Sequence, residues 1–216
     1  MKIRSLLDLN DVIGRELAWR KKELSAISIL IQKRRDHERI VLLRAAVPIL
    51  YAHWEGFIKK ASSCYLQYVS RRKLKYADLK SNFVALACKS ALSESLNSNK
   101  LLLFNDVVYF ITHNQQEVAQ IPYENVIDTK SNLNSDVFIN IIHQLGVSYD
   151  SFYNTKELII DGSLLKKRNQ IAHGERIEIS EREFFDLYKL VIEILEYFQN
   201  QIENSAATEG FKVSVL

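Results

Sequence analysis

Six glycines and two prolines in 216 residues leave this chain few places to reverse direction sharply. Folds built from many short strands need frequent turns, and turns draw on those two residue types. Runs rich in Leu, Ile, Glu, Lys and Ala favour a backbone satisfied within helices instead. The fold class that follows is all-α. A chain of this length also buries one hydrophobic core without a metal or disulfide staple. Residues 1–204 are therefore expected to form a single helical domain, and residues 205–216 a loosely ordered C-terminal tail.

Periodicity places the helices. From Leu6 to Lys33, Leu17, Leu24, Ile27 and Leu30 recur among charged residues as in an amphipathic helix. A second helix is expected from Glu38 to Arg72, with Val47, Leu50, Tyr51, Trp54, Ile58, Ala61 and Tyr65 on one side and Pro48 as a kink point. A third runs from Ala77 to Leu96 and ends in Asn97-Ser98-Asn99. For residues 101–127 a short helix and an extended segment fit equally well. Ser135 is read as the N-cap of a helix carrying Phe138, Ile141, Ile142 and Leu145, closed by Gly146 in a left-handed turn. A helix from Leu158 to His173 ends at Gly174. The last helix opens with a capping box, Ser180 with Glu183, and a staple of Ile179 on Phe184. Its stripe of Phe184, Tyr188, Val191, Leu195, Phe198 and Ile202 suits either core packing or a dimer seam.

Charge and motif content exclude several classes. The net charge of +3 is compatible with a nucleic-acid partner but far from a dedicated DNA-binding footprint. Cys64 and Cys88 lack ligand or disulfide spacing and read as reduced, buried thiols. His37, His53, His113 and His143 show no metal-ligand spacing, so no metal and no cofactor are expected. No Walker-type G-x-x-x-x-G-K or G-x-G-x-x-G occurs. The N-terminal apolar run is interrupted by Asp8 and Asp11, and no run reaches about 18 uncharged apolar residues, so the expectation is a cytoplasmic protein with no membrane partner. The basic runs Arg34-Arg35 and Arg71-Arg72-Lys73 read as solvated helix ends that could extend an RNA-binding face.

One hexapeptide carries chemistry. In Arg168-Asn169-Gln170-Ile171-Ala172-His173, Asn169 and His173 are four apart on a helix, so the amide can hold an imidazole nitrogen. Arg168 can reach around toward a phosphate near the helix end, and Lys166 and Lys167 add charge suited to an RNA backbone. Cleaving RNA without a metal takes a base for the 2′-hydroxyl, an acid for the leaving 5′-oxygen and a cation on the phosphorane. Histidine exchanges protons near neutral pH, but one ring cannot serve as base and acid at once. A homodimer with facing Arg168–His173 ends would supply both. The competing reading is a surface arginine and a helix-terminal histidine with no chemistry.

The setting of the hexapeptide adds to this. R-N-x-x-A-H-G-E leading into a capped terminal helix, preceded by LYAHWEGFIKKA and NVIDTKSNLNSDVFINIIHQLG, resembles the HEPN superfamily and more narrowly its stand-alone MAE-like prokaryotic branch. The resemblance implies an up-and-down bundle of long antiparallel helices, a composite site at a homodimer interface and metal-independent endoribonuclease activity. It implies that Arg168 and His173 are the catalytic pair and that Asn169 is the polar residue following the arginine. It further implies a toxin or phage-defence role with an antitoxin or defence-system partner. Glu175 stands where some such toxins carry a tyrosine modified by a partner nucleotidyltransferase, which puts that mode of neutralisation in doubt. Glu55, beside Trp54, is a further candidate for orienting a base, against a solvent-facing or salt-bridged alternative. A non-catalytic module binding RNA, nucleotide or protein is the second functional reading.

Overall fold

The computed structural model describes residues 3–98 and 101–213. Helix α1 (Leu6–Gln32) starts at a reciprocal capping box that the sequence reading did not find. The Ser5 hydroxyl accepts the Asp8 N–H at 3.1 Å, and the Asp8 carboxylate accepts the Ser5 N–H at 2.9 Å. Helix α2 (Asp36–Arg71) continues through Pro48. It is long and apolar enough by length and composition to cross a membrane. Here it lies at the centre of the fold, packed against α1 and against four elements defined below.

A 3-10 turn at Tyr76–Asp78 precedes α3 (Ser81–Ser98), so α3 starts four residues after the expected Ala77. The reason lies at the far end of the chain. Leu79 is extended and bridges Lys212, and the Lys80 N–H donates to the Phe211 carbonyl at 3.0 Å. At its other end α3 runs two residues past the expected Leu96, through Asn97 and Ser98, and Asn99 lies outside the described residues. Helix α4 (Leu101–His113) settles half of the undecided stretch as helix; after a 3-10 turn at Asn114–Gln116 the chain is irregular. The tail expected to be loose is held as far as Val213. Phe211 is fully buried with its ring 6.1 Å from that of Tyr68, and the Val213 N–H donates to the Asp78 carbonyl. Residues 214–216 of that tail lie outside the described residues.

Helix α5 (Ser135–Leu145) begins one residue away from expectation. Asn134 is the cap, its side chain accepting the Val137 N–H at 2.9 Å. Gly146 closes the helix at φ +67°, as expected. Short turns follow as α6 (Ser151–Asn154) and α7 (Glu157–Ile159). Next come a π-helical turn at Ile160–Leu165 and α8 (Lys166–Ala172), so the expected helix over 158–173 exists as three segments, a π turn between two α-helical ones. Helix α9 (Glu181–Ala207) is capped by Ser180, which accepts the Glu183 N–H at 3.2 Å. The Glu183 carboxylate goes to Lys167 at 2.8 Å rather than closing the expected box.

The architecture is an all-α bundle in which α2 packs on α1, α5, α8, α9 and the π turn, while α3 and α4 pair on one side. Phe138 of α5 is the aromatic hub. Its ring lies 4.9 Å from Trp54 of α2, 5.0 Å from Tyr153 of α6 and 5.9 Å from Phe198 of α9. The α9 stripe is core: Phe184, Val191, Leu195, Phe198 and Ile202 are buried, with Tyr188 partly buried against them. Cys64 and Cys88 are free, buried thiols. Where α1 crosses α2, buried Arg20 stacks on Trp19 and binds Glu16, and His53 lies 3.1 Å from Glu23 without a well-directed hydrogen bond.

Two stability predictions follow from these contacts. Gly146→Ala puts a Cβ 2.8 Å from Asn82, whose amide donates to the Gln144 carbonyl, on a left-handed backbone. It should destabilise by about 1–2 kcal/mol or more in urea unfolding. Burial pushes the His53 imidazole below its ordinary value of 6.5, with Glu23 opposing and Arg20 assisting. The unfolded chain then takes up the proton first as pH falls, so the stability owed to neutral His53 is full above about 6.5 and declines below it. The stability difference between the native protein and His53→Gln should therefore shrink from pH 7.5 to pH 5.5.

Candidate active site

Tyr51 and Trp54 sit three residues apart on the buried face of α2, and each brings a polar tip that needs a partner. Both tips find Leu133. The Tyr51 hydroxyl accepts the Leu133 N–H at 2.5 Å, and the Trp54 indole N–H donates to the Leu133 carbonyl at 3.3 Å. This grip holds the loop ahead of α5 in a tight turn. Lys130 and Ser131 both adopt φ +53°, the Asp128 carboxylate accepts the Lys130 N–H at 2.8 Å, and the Asn132 N–H reaches the Thr129 carbonyl at 3.0 Å. Two consecutive left-handed residues without glycine cost about 1–2 kcal/mol each, so the turn persists only because its ends are fixed.

The turn presents acceptors to α8. Arg168 donates from Nη2 to the Ser131 carbonyl at 2.8 Å and from Nη1 to Asn169 Oδ1 at 2.7 Å. Its guanidinium lies 3.9 Å from the centroid of the Tyr51 ring, a cation–π contact. Asn169 completes the set by donating to Asn132 Oδ1 at 3.4 Å. Among the described residues no carboxylate lies within ion-pairing distance of Arg168, so its charge is held by neutral partners and stays available to an anion. Burial pushes the Tyr51 hydroxyl above its ordinary range, and the nearby Glu55 charge adds to this, keeping Tyr51 a neutral platform.

His173 caps the C-terminus of α8 in a Schellman turn. The Glu175 N–H donates to the Gln170 carbonyl at 2.9 Å and the Gly174 N–H to the Ile171 carbonyl at 3.0 Å, with Gly174 at φ +81°. The ring is exposed and has no hydrogen-bond partner among the described residues. The expected bond from Asn169 to His173 is not formed. The Asn169 oxygen takes the charged donor of Arg168, the stronger partner, and its amide turns to Asn132.

The remaining candidates separate. Lys166 is exposed, whereas Lys167 is engaged with Glu183 of α9. Glu55 is half-buried beside Tyr51, with no ion pair among the described residues. Arg71 lies about 30 Å along α2 from Tyr51 at 1.5 Å per residue. Arg72 beyond it is tied to the Arg4 carbonyl and the Tyr68 ring, so this basic run is remote from α8. Sequence reasoning missed the loop over 128–133, Asp161 and Arg44, and took Tyr51 for core alone. The SNLNS stretch, rich in turn formers, was the available signal for the loop.

A guanidinium fixed by neutral partners and an exposed imidazole at the end of the same helix can bind a phosphate and exchange protons with it. A family model described as RiboL-PSP-HEPN matches residues 15–204. That bears out the superfamily expectation, although the model that matches is not the MAE-like one. Comparison with curated proteins and with solved structures gives no match.

The π turn ties the loop to α8 from below. Asp161 accepts the Ser135 N–H at 2.9 Å and the Ser135 hydroxyl through its second oxygen. Asp161→Ala strands that N–H and should cost about 1–3 kcal/mol in urea unfolding. Ser135→Ala keeps the backbone bond and should cost less.

Proposed function

Since the chain belongs to the RiboL-PSP-HEPN family, we propose that its RNase-like domain is a metal-independent endoribonuclease whose site is completed by a second copy of the chain. The observation that carries this reading is the un-neutralised Arg168, held beside Asn169, with an exposed and unpartnered His173 five residues on. In the proposed reaction one His173 removes the 2′-hydroxyl proton as that oxygen attacks the phosphorus. The partner's His173 gives a proton to the departing 5′-oxygen. The products are a 2′,3′-cyclic phosphate and a 5′-hydroxyl, with no water consumed. Arg168 from each chain stabilises the charge on the phosphorane, and exposed Lys166 holds flanking backbone.

A role as a toxin or phage-defence effector, restrained by a partner protein, fits the same family. The second reading, a non-catalytic module binding RNA, nucleotide or protein, is favoured by the His173 ring having no group that fixes its tautomer.

Purified protein should cut RNA in EDTA and leave cyclic phosphate ends. His173→Ala should slow cleavage at least about 100-fold, and Arg168→Ala by about 100- to 1000-fold. Light scattering should show a dimer at working concentration. Absent cleavage supports the binding module instead, and cleavage undiminished in His173→Ala removes His173 from the chemistry.

A further inference from the structure

Arg44 and Tyr51 are seven residues apart on α2, two helical turns, and so share a face. They meet residues that are also seven apart: Tyr51 lies under Arg168, and Arg44 Nη2 donates to the Glu175 carbonyl at 2.6 Å. The pairing of 51 with 168 and 44 with 175 makes the two segments antiparallel and brackets the hexapeptide between two contacts.

We propose that Arg44 and Tyr51 are positioning residues for the two halves of the reacting pair, Tyr51 for the Arg168 guanidinium and Arg44 for the turn that carries His173. The proposal rests on the reading of Arg168 and His173 as that pair. Tyr51 is 3 % exposed, so a substrate base cannot stack on it and its ring acts only through Arg168. Its hydroxyl also holds Leu133, two residues from the carbonyl that binds Arg168, so one side chain sets both the floor and a wall of the guanidinium's seat. Arg44 leaves its Nε buried without a hydrogen-bond partner while Nη2 reaches the Glu175 carbonyl. That carbonyl belongs to the residue whose N–H closes the Schellman turn and whose side chain accepts from Gln170 at 2.8 Å. Fixing it fixes the backbone of Gly174 and, through it, the direction in which His173 leaves the helix. Among the described residues Arg44, like Arg168, has no carboxylate within ion-pairing distance, so the contact is to backbone alone.

The test measures kcat and KM on RNA, and affinity for an uncleavable 2′-O-methyl oligoribonucleotide, with folding checked by thermal melting. Tyr51→Leu should lower kcat/KM about 100-fold, with the split between kcat and KM that Arg168→Ala shows, and Tyr51→Phe, which keeps the ring under Arg168 but leaves the Leu133 N–H without its acceptor, should recover part of that loss, to about tenfold below the native enzyme. Tyr51→Leu should add nothing in the Arg168→Ala background. Arg44→Gln should lower kcat about tenfold, be rescued by Arg44→Lys and add nothing in the His173→Ala background. Native rates in Tyr51→Leu and Arg44→Gln, or further losses in those backgrounds, overturn the proposal; a further loss of oligonucleotide affinity from Arg44→Gln would make Arg44 a direct phosphate contact. Should the native protein cleave no RNA, the catalytic reading fails and positioning is judged on affinity. Tyr51→Leu must then weaken oligonucleotide binding as Arg168→Ala does, and native affinity in Tyr51→Leu overturns it. Arg44 is half-exposed, so Arg44→Gln decides the matter if Tyr51→Leu does not fold.

Discussion

The peptide groups of Leu133 are gripped on both sides by α2, through the Tyr51 hydroxyl and the Trp54 indole, and the rest of the site is arranged around that grip. A loop with two left-handed, non-glycine residues relaxes unless its ends are held. Here the end at Leu133 is bonded to the central helix and runs directly into α5, whose Phe138 sits at the aromatic hub and whose first N–H is bonded to Asp161, while Ile127 and Thr129 at the other end are buried. The loop can therefore offer the Ser131 carbonyl and the Asn132 amide to α8 as fixed acceptors. Arg168 is oriented by packing several residues removed from it, an arrangement that needs no anionic partner to hold a cation.

Neighbouring cations on one short helix have different fates because of the elements they face. Lys167 looks toward the first turn of α9 and is neutralised by Glu183. Arg168 looks toward the loop and keeps its charge among amides and an aromatic face. Lys166 faces solvent. The π turn just ahead of them contributes to this division. A wider turn shifts the angular phase of all residues after it, so that buried Leu164 and Leu165 can precede an Arg168 aimed at the loop.

Much of the fold was legible because it depends on local signals. The 3- and 4-residue recurrence of Trp54, Ile58, Ala61 and Tyr65, the Ser180 cap and the left-handed Gly146 all act within one or two turns of chain, and each stands where the pattern put it. Non-local competition produced the errors. Ser135 has the chemistry of an N-cap, but Asp161, 26 residues on, claims its hydroxyl and Asn134 caps instead. Ala77 could begin a helix, but the backbone of Phe211 draws Lys80 out of it. At the site the hexapeptide was readable as a string, while its internal bonding was not. Asn169 was expected to serve His173, and the choice went to Arg168 because a loop 37 residues away supplies Asn132 for the amide. Tyr51 was correctly read as buried, yet nothing local to it indicates that its ring lies beneath a guanidinium.

The bracket between α2 and the end of α8 also sets an order in time. Arg44 and Glu175 are 131 residues apart in the chain. At a synthesis rate of about 5–20 residues per second, roughly 7–26 s separate the making of one from the making of the other. Throughout that interval α2 can form, but the seat for Arg168 is incomplete and the turn after His173 does not yet exist. A nascent chain that has not yet reached Glu175 therefore carries no assembled half-site, and whatever the finished site does to its ligand begins only after that residue has been made.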